Sequence, residues 1–147
     1  MDFIQIAIFA VKTAMNPDMN TNPLLTASDA PFGAPRFDIV TNDSYLPAFR
    51  EAISMYKKEI EDIASDKAEP SFDNTILALE YAGEALRNVE SIFFNLLEAD
   101  SDEQKQNIAE EISPELTEMG MYISLNEALF AKVRYVNENH GPLGVSE

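Results

Sequence analysis

The spacing of apolar residues beyond residue 43 limits most strongly what this chain can fold into. Six apolar residues recur three and four positions apart without a break: Leu46, Phe49, Ile53, Tyr56, Ile60 and Ile63. This spacing places all six on one stripe of an α-helix. Asp43 or Ser44 is a suitable N-cap, and Pro47 falls within the first turn, where its missing amide costs little. We therefore predict a first helix that ends near Asp66.

The same spacing predicts a second helix over residues 73–98. Its apolar stripe includes Gly83, where the absence of a side chain would let another helix approach closely. An ordinary helical glycine, which costs about 1 kcal/mol relative to alanine, is the alternative. We favour the close approach.

Two capping patterns predict the remaining helical segments. Ser101 and Gln104 have the spacing of a capping box, and the third helix that follows should end or kink just before Pro114. Ser124 and Glu127 form a second such pattern before a short last helix. The apolar stripe of that helix comprises Leu129, Phe130, Val133 and Val136. The fold predicted is an all-α antiparallel bundle of two long helices, a proline-broken third and a short fourth.

Proline content and apolar pattern divide the chain into four regions. Residues 1–20 are interpreted as an appendage, either disordered or a short helix. Residues 21–42 contain three of the eight prolines and are predicted to be an extended arm whose apolar residues lie against something. Residues 43–140 form the helical bundle, and residues 141–147 form a tail.

The start of the chain gives no convincing export or membrane signal. The apolar stretch FIQIAIFAVKTA at residues 3–14 is too short to span a bilayer. It follows Asp2 instead of the basic start of a secretory signal, although a degenerate signal is an alternative. We predict no membrane partner and a cytoplasmic location, with the bacterial periplasm as the alternative.

Composition excludes several kinds of function. Twenty-six acidic residues outnumber ten basic ones, for a formal net charge of −16, which argues against nucleic acid as a partner. The chain has no cysteine and one histidine, His140, so thiolate chemistry and any motif with two histidines are absent. No catalytic, cofactor-binding or metal-binding residue is therefore assigned, and His140 is interpreted as a solvated residue at a helix end.

Two other features have open interpretations. An acidic cluster is most simply a solvated face, and a surface for a basic partner is the alternative. Its members are Glu98, Asp100, Asp102, Glu103, Glu110, Glu111, Glu115 and Glu118. The adjacent Phe93 and Phe94 cannot face the same way on a helix. One of the two rings should lie in the core, and the other should contact the third helix, the arm or an absent domain.

Several short segments of the sequence, taken in their order along the chain, resemble segments of a known protein family. NPLL lies at residues 22–25, PFGAPRFDIV at 31–40, SYLPAF at 44–49 and SFDNTILALE at 71–80. IFFNLLEADSDE follows at residues 92–103, SPEL at 113–116 and ISLNEALFAKV at 123–133. Together they are similar to the N-terminal region of bacterial peptidyl-dipeptidases and oligopeptidase A, zinc metallopeptidases of the thimet-oligopeptidase type.

The resemblance implies that this chain is a part of an enzyme and that this part lacks the catalytic centre. The zinc of this family is bound by an H-E-x-x-H helix and a further glutamate far downstream, and no residue here matches them. The N-terminal helices of the family form part of the wall of a channel that admits short peptides, from which dipeptides are released. The implied partners are a missing catalytic domain and short peptides. The chain would be a fragment, a cloned domain or a truncated gene product.

Two other functions remain open. The chain could be a free-standing acidic helical module that binds a basic protein, or an unrecognised small enzyme with perturbed carboxylates in a pocket.

Overall fold

The computed structural model describes residues 22–27 and 34–139. Of these residues 76% are helical and none is in a strand, so the all-α prediction is confirmed. The elements are helix α1 (Asn42–Ser65), a π-helical segment (Phe72–Leu77), α2 (Ala78–Tyr81), α3 (Glu84–Ala99), α4 (Glu103–Ser124) and α5 (Glu127–Asn139). The predicted appendage, the tail and His140 lie outside the described residues.

Helix α1 begins slightly earlier than the sequence predicts. Its N-cap is Thr41, with an extended backbone at φ −118° and ψ 164°, and not Asp43 or Ser44. The Thr41 amide donates to Oγ of Ser44 at 3.3 Å, so Ser44 is the third helical residue of a capping box and not the N-cap itself. Pro47 is consequently the sixth helical residue and lies in the second turn. The end of the helix at Ser65 agrees with the prediction.

Helix α1 is the centre of the bundle. It packs against α2, α3, α4 and α5. Phe49 and Ile60 of the predicted stripe are fully buried. Tyr45, Ala48 and Ala52 are buried too, because α1 has neighbours on more than one side. The buried face is therefore wider than the stripe predicts.

Helix α3 runs antiparallel to α1. The ring of Phe93, late in α3, lies 4.9 Å from that of Tyr45 and 5.4 Å from that of Phe49, early in α1. At the other end, the Gly83 amide donates to the Glu59 carboxylate at 2.7 Å. The hydrophobic contacts between these two helices form the main core.

Helix α4 runs parallel to α1, as an up-down-up order of helices requires. Asn42 reaches Asp102 at one end, with 3.2 Å between Nδ2 and Oδ2. The Tyr122 hydroxyl lies 3.1 Å from Oε1 of Glu61 near the other end. The predicted antiparallel order of consecutive long helices is thus present for α1, α3 and α4.

The predicted second helix is interrupted. It starts at Phe72, one residue before the predicted Asp73, with Ser71 as N-cap and a first part that is π-helical. It breaks at Ala82 and Gly83, where Gly83 has φ +77°. An ideal Cβ on Gly83 would lie 2.7 Å from the Tyr56 ring. The predicted close approach is confirmed, whereas the continuous helix is wrong, because a left-handed residue cannot extend an α-helix.

Three predicted boundaries in the second half also differ from the structure. Helix α4 continues through the exposed Pro114, so the predicted end of the helix at that point is wrong. The N-cap of α4 is Asp102, and not Ser101. Asn126, and not Ser124, caps α5, because its Oδ1 accepts the Leu129 amide at 3.0 Å. The predicted separation of the last helix near Ser124 is confirmed.

The described parts of the arm contain turns and no regular element. Leu24 is buried in the core, so this part of the arm lies against the bundle. Nδ2 of Asn22 donates to the Ser44 carbonyl at 2.6 Å. Phe37 and Ile39 are instead 54% and 50% exposed.

Candidate functional site

The described residues do not fit a zinc centre. Among residues 22–27 and 34–139, no group of three or more His, Cys, Asp and Glu side chains could hold a metal ion. His140 lies outside this range. The implied metal chemistry therefore has no ligand set in the described part of the chain.

The acidic cluster is only partly a free solvated face. The Arg50 guanidinium binds Glu111 at 2.7 Å and Glu115 at 2.9 Å, and Nζ of Lys57 lies 3.8 Å from Glu118. These pairs join α1 to α4 along their length. Because Arg50 is about half exposed, each ion pair is worth little by itself. Several members of the cluster already have basic partners within the fold.

Among the residues that the structure describes, the most enclosed charged side chain is that of Lys105, at the start of α4. Its side chain is 10% exposed, and its Nζ donates to Oδ2 of Asp102 at 2.6 Å and to the Asp100 carbonyl at 2.9 Å. Oδ1 of Asp102 accepts the Lys105 amide at 2.7 Å. Together with Asn42, these groups fix the starts of α1 and α4 to one another. All of them have partners, so the arrangement is structural.

Hydrogen bonds from the side chain and amide of Lys105, and then from Asn42, lower the pKa of Asp102 from 3.8 to about 2. Because this pKa is lower in the folded than in the unfolded chain, the carboxylate stabilises the fold above about pH 4. That contribution is lost as the pH falls to about 2. We expect the stability difference between wild type and Asp102→Asn to shrink across this window, measured by denaturant unfolding at several pH values.

Ser101→Ala is the matched control for this prediction, because Ser101 precedes the cap and does not titrate. Its effect on the free energy of unfolding should be small and independent of pH. A wild-type advantage over Asp102→Asn that persists unchanged down to pH 2 would contradict the assigned pKa.

The two adjacent phenylalanines have an arrangement that the sequence did not predict. Phe93 is fully buried, in agreement with one ring being core. The half-buried Phe94 lies with its ring 6.3 Å from that of Phe49 and 5.1 Å from that of Phe93. It therefore meets the first helix, a neighbour that was not among the alternatives.

A second apolar region lies on the surface, where α4 turns into α5. Met121, Leu125 and Phe130 are 55%, 72% and 65% exposed. Two shallow grooves of about 630 and 360 Å³ meet here and share Leu125 and Asn126. Met121 lines the larger groove and Phe130 the smaller one. We call Met121, Leu125 and Phe130 the corner surface.

Polar groups around the corner surface hold it in place. Tyr122, which lines the larger groove, donates its hydroxyl to Glu61 of α1, and Nζ of Lys57 lies 5.8 Å from the centre of its ring. Desolvation, followed by the hydrogen bond to Glu61, raises the pKa of Tyr122. Nζ of Lys132, on α5, donates to the Asp66 carbonyl at the end of α1. These contacts tie the residues next to the corner surface to helix α1 and its C-cap.

The corner surface can contribute to binding by burying the apolar area of its side chains against a partner. The larger groove is lined by one carboxylate, that of Glu118, and the smaller one is lined by Glu127 and Arg134. Neither has a nucleophile paired with a base, which acid–base or covalent catalysis would require. Contiguous exposed apolar patches mark interaction surfaces more often than isolated side chains do.

Sequence reasoning missed part of this surface. Met121 and Leu125 are four residues apart, a spacing that places two residues on one face of a helix and that was visible in the sequence. Phe130 was predicted to share the apolar stripe of the last helix. The structure buries Leu129 and Val136 of that stripe but leaves Phe130 exposed.

No helix in the described ranges is both long and apolar enough to cross a membrane.

Comparison with known proteins gives a consistent result. No family model matches the chain. It is 42% identical over 129 residues, or 88% of its length, to a dipeptidyl carboxypeptidase of Salmonella typhimurium. It is also 42% identical over 124 residues to a dipeptidyl carboxypeptidase of Escherichia coli K12. The chain spans only 18–19% of the length of these two relatives. The resemblance to the peptidyl-dipeptidases is therefore confirmed, and the chain is a homologue of about one fifth of a dipeptidyl carboxypeptidase.

Proposed function

We propose that this chain supplies a non-catalytic helical part of a zinc metallopeptidase that releases dipeptides from the C-terminal ends of short peptides. The observation that carries the proposal is the 42% identity to dipeptidyl carboxypeptidases across 84–88% of the chain. The bundle, residues 43–140, would form part of the wall or lid of the substrate channel and correspond to the N-terminal region of the enzyme. The cytoplasm is the location that we propose.

The residue inventory supports a non-catalytic role. A catalytic zinc site needs three protein ligands, commonly two histidines of one helix and a carboxylate. With one histidine and no cysteine, the 147 residues cannot supply that set. The zinc and its general base would therefore be supplied by the catalytic part of the enzyme, which is the proposed partner of this chain.

A chimeric enzyme tests this proposal. The 129-residue stretch of the Salmonella relative that matches this chain is replaced by the sequence of this chain. We expect the chimera to release dipeptides from short peptides, because a homologous scaffold should complete the channel. The measurement is peptide hydrolysis followed by mass spectrometry of the products.

Two controls make the result decisive. The isolated chain should cleave no peptide, with or without added zinc. The relative lacking the matched stretch should be inactive or severely impaired. A folded chimera that binds zinc but releases no dipeptide would contradict the proposal, as would peptide cleavage by the isolated chain.

A further inference from the structure

We propose that the corner surface packs against the catalytic part of the enzyme, with an apolar contact patch that carries a basic group at its edge. This inference rests on the proposed function and deepens it, because it assigns the partner to one face of the bundle. Met121, Leu125 and Phe130 would be the side chains that become buried.

The first argument is one of size. The chain corresponds to 18–19% of its relatives, so more than four fifths of such an enzyme lies outside it. The buried fraction of a protein surface rises with chain length, because surface grows more slowly than mass. A domain that forms one fifth of a large enzyme should therefore bury part of its own surface against the rest.

The second argument selects the face. Phe37 and Ile39 are exposed, but they flank the charged Asp38, and Tyr81 has a polar hydroxyl. At the corner surface, by contrast, side chains of α4, α5 and the turn between them line two grooves that meet. Within the described residues, this is where three strongly exposed apolar side chains line two adjoining grooves.

The third argument concerns charge. Among the described residues, the Glu127 carboxylate, which lines the smaller groove, has no hydrogen-bond or ion-pair partner. Contact between two copies would bring together surfaces of chains with a net charge of −16 each. The charge opposes such self-association and favours a different surface that offers a cation to Glu127.

The test compares two double variants in the chimera and in the isolated chain. Leu125→Ser with Phe130→Ser removes the apolar contact. Phe37→Ser with Tyr81→Ser, at side chains that are 54% and 57% exposed and line neither groove, is the matched control. In the isolated chain, neither pair should change the melting temperature appreciably, because the altered side chains already contact water.

In the chimera, we expect only the corner pair to lower the thermal midpoint and to reduce peptidase activity, by roughly tenfold, which corresponds to about 1.4 kcal/mol. Equal behaviour of the two pairs in an active chimera would overturn the inference and leave the proposed function intact. An inactive wild-type chimera would contradict the proposed function, and the inference would fall with it. Self-association of the isolated chain that the corner pair abolishes, measured by sedimentation, would assign the surface to a second copy and also overturn the inference.

Discussion

Phe49→Ala should destabilise the isolated chain by about 3–5 kcal/mol, the range for removing a fully buried aromatic ring. Phe49 is 0% exposed, and its ring meets those of Phe93 and Phe94 in edge-to-face geometry at 5.4 and 6.3 Å. Truncation would leave a cavity between α1 and α3, and edge-to-face ring contacts would be lost in addition. Urea unfolding followed by circular dichroism measures the change.

Phe130→Ala is the matched control for Phe49→Ala. It is the same substitution in a helix, at a side chain that is 65% exposed. We expect a change within about 0.5 kcal/mol in the isolated chain. If both substitutions cost the same, or if Phe49→Ala costs less than about 1 kcal/mol, the assigned core is wrong.

Gly83→Ala should be the second severe substitution, with an expected loss of about 2–4 kcal/mol. One part of the loss is backbone strain, because Gly83 has φ +77°, where a residue with a Cβ is disfavoured. The other part is steric, because the new methyl group would lie 2.7 Å from the Tyr56 ring. The free energy of unfolding again gives the measurement.

For Gly120→Ala we expect the opposite change in the free energy of unfolding. Gly120 lies within α4, and a Cβ there would meet nothing within 4 Å. We expect this substitution to stabilise the chain by up to about 1 kcal/mol, the difference in helix propensity. If the two glycines respond alike, the special geometry of Gly83 is contradicted.

A second background separates the two causes at Gly83. Tyr56→Leu removes the ring that the new methyl group would meet. In that background Gly83→Ala should cost less than in the wild type, and the part that remains reports the backbone strain. An unchanged cost would assign the whole effect to the backbone.

The sequence predicted the helices well because apolar spacing reports a buried face directly. Phe49, Ile53, Ile60 and Ile63 all belong to the core, as the stripe of the first helix indicates. The extra burial of Tyr45 could not be predicted, because it depends on where neighbouring helices pack. Spacing alone gives one face for a helix, whereas α1 has neighbours around much of its circumference.

Boundaries were predicted less well because several residues near each one could cap the helix. Thr41, Asp43 and Ser44 are all suitable N-caps, and only the backbone conformation of Thr41 decides between them. At Gly83 the sequence indicated closeness to another helix but not the left-handed backbone. At Pro114 the cost of a missing hydrogen bond depends on whether the freed carbonyl meets water.

The candidate site could be predicted only in part. The absence of a metal-binding motif was evident from the sequence, since it follows from counting residue types. The corner surface was not, because exposure of Leu125 and Phe130 depends on how α4 and α5 meet at Asn126. A single sequence shows that these residues are apolar, but not that the fold leaves them uncovered.

The parallel alignment of α1 and α4 has a consequence for how the chain folds. The groups that join these helices are 60–65 residues apart in the sequence. They can meet only after the intervening α3 has doubled back, so they close a long loop at an entropic cost. Contacts this distant slow folding compared with those between sequential helices. The α1–α3 hairpin should therefore assemble early, and α4 should dock onto it late, carrying α5 and the corner surface into place last.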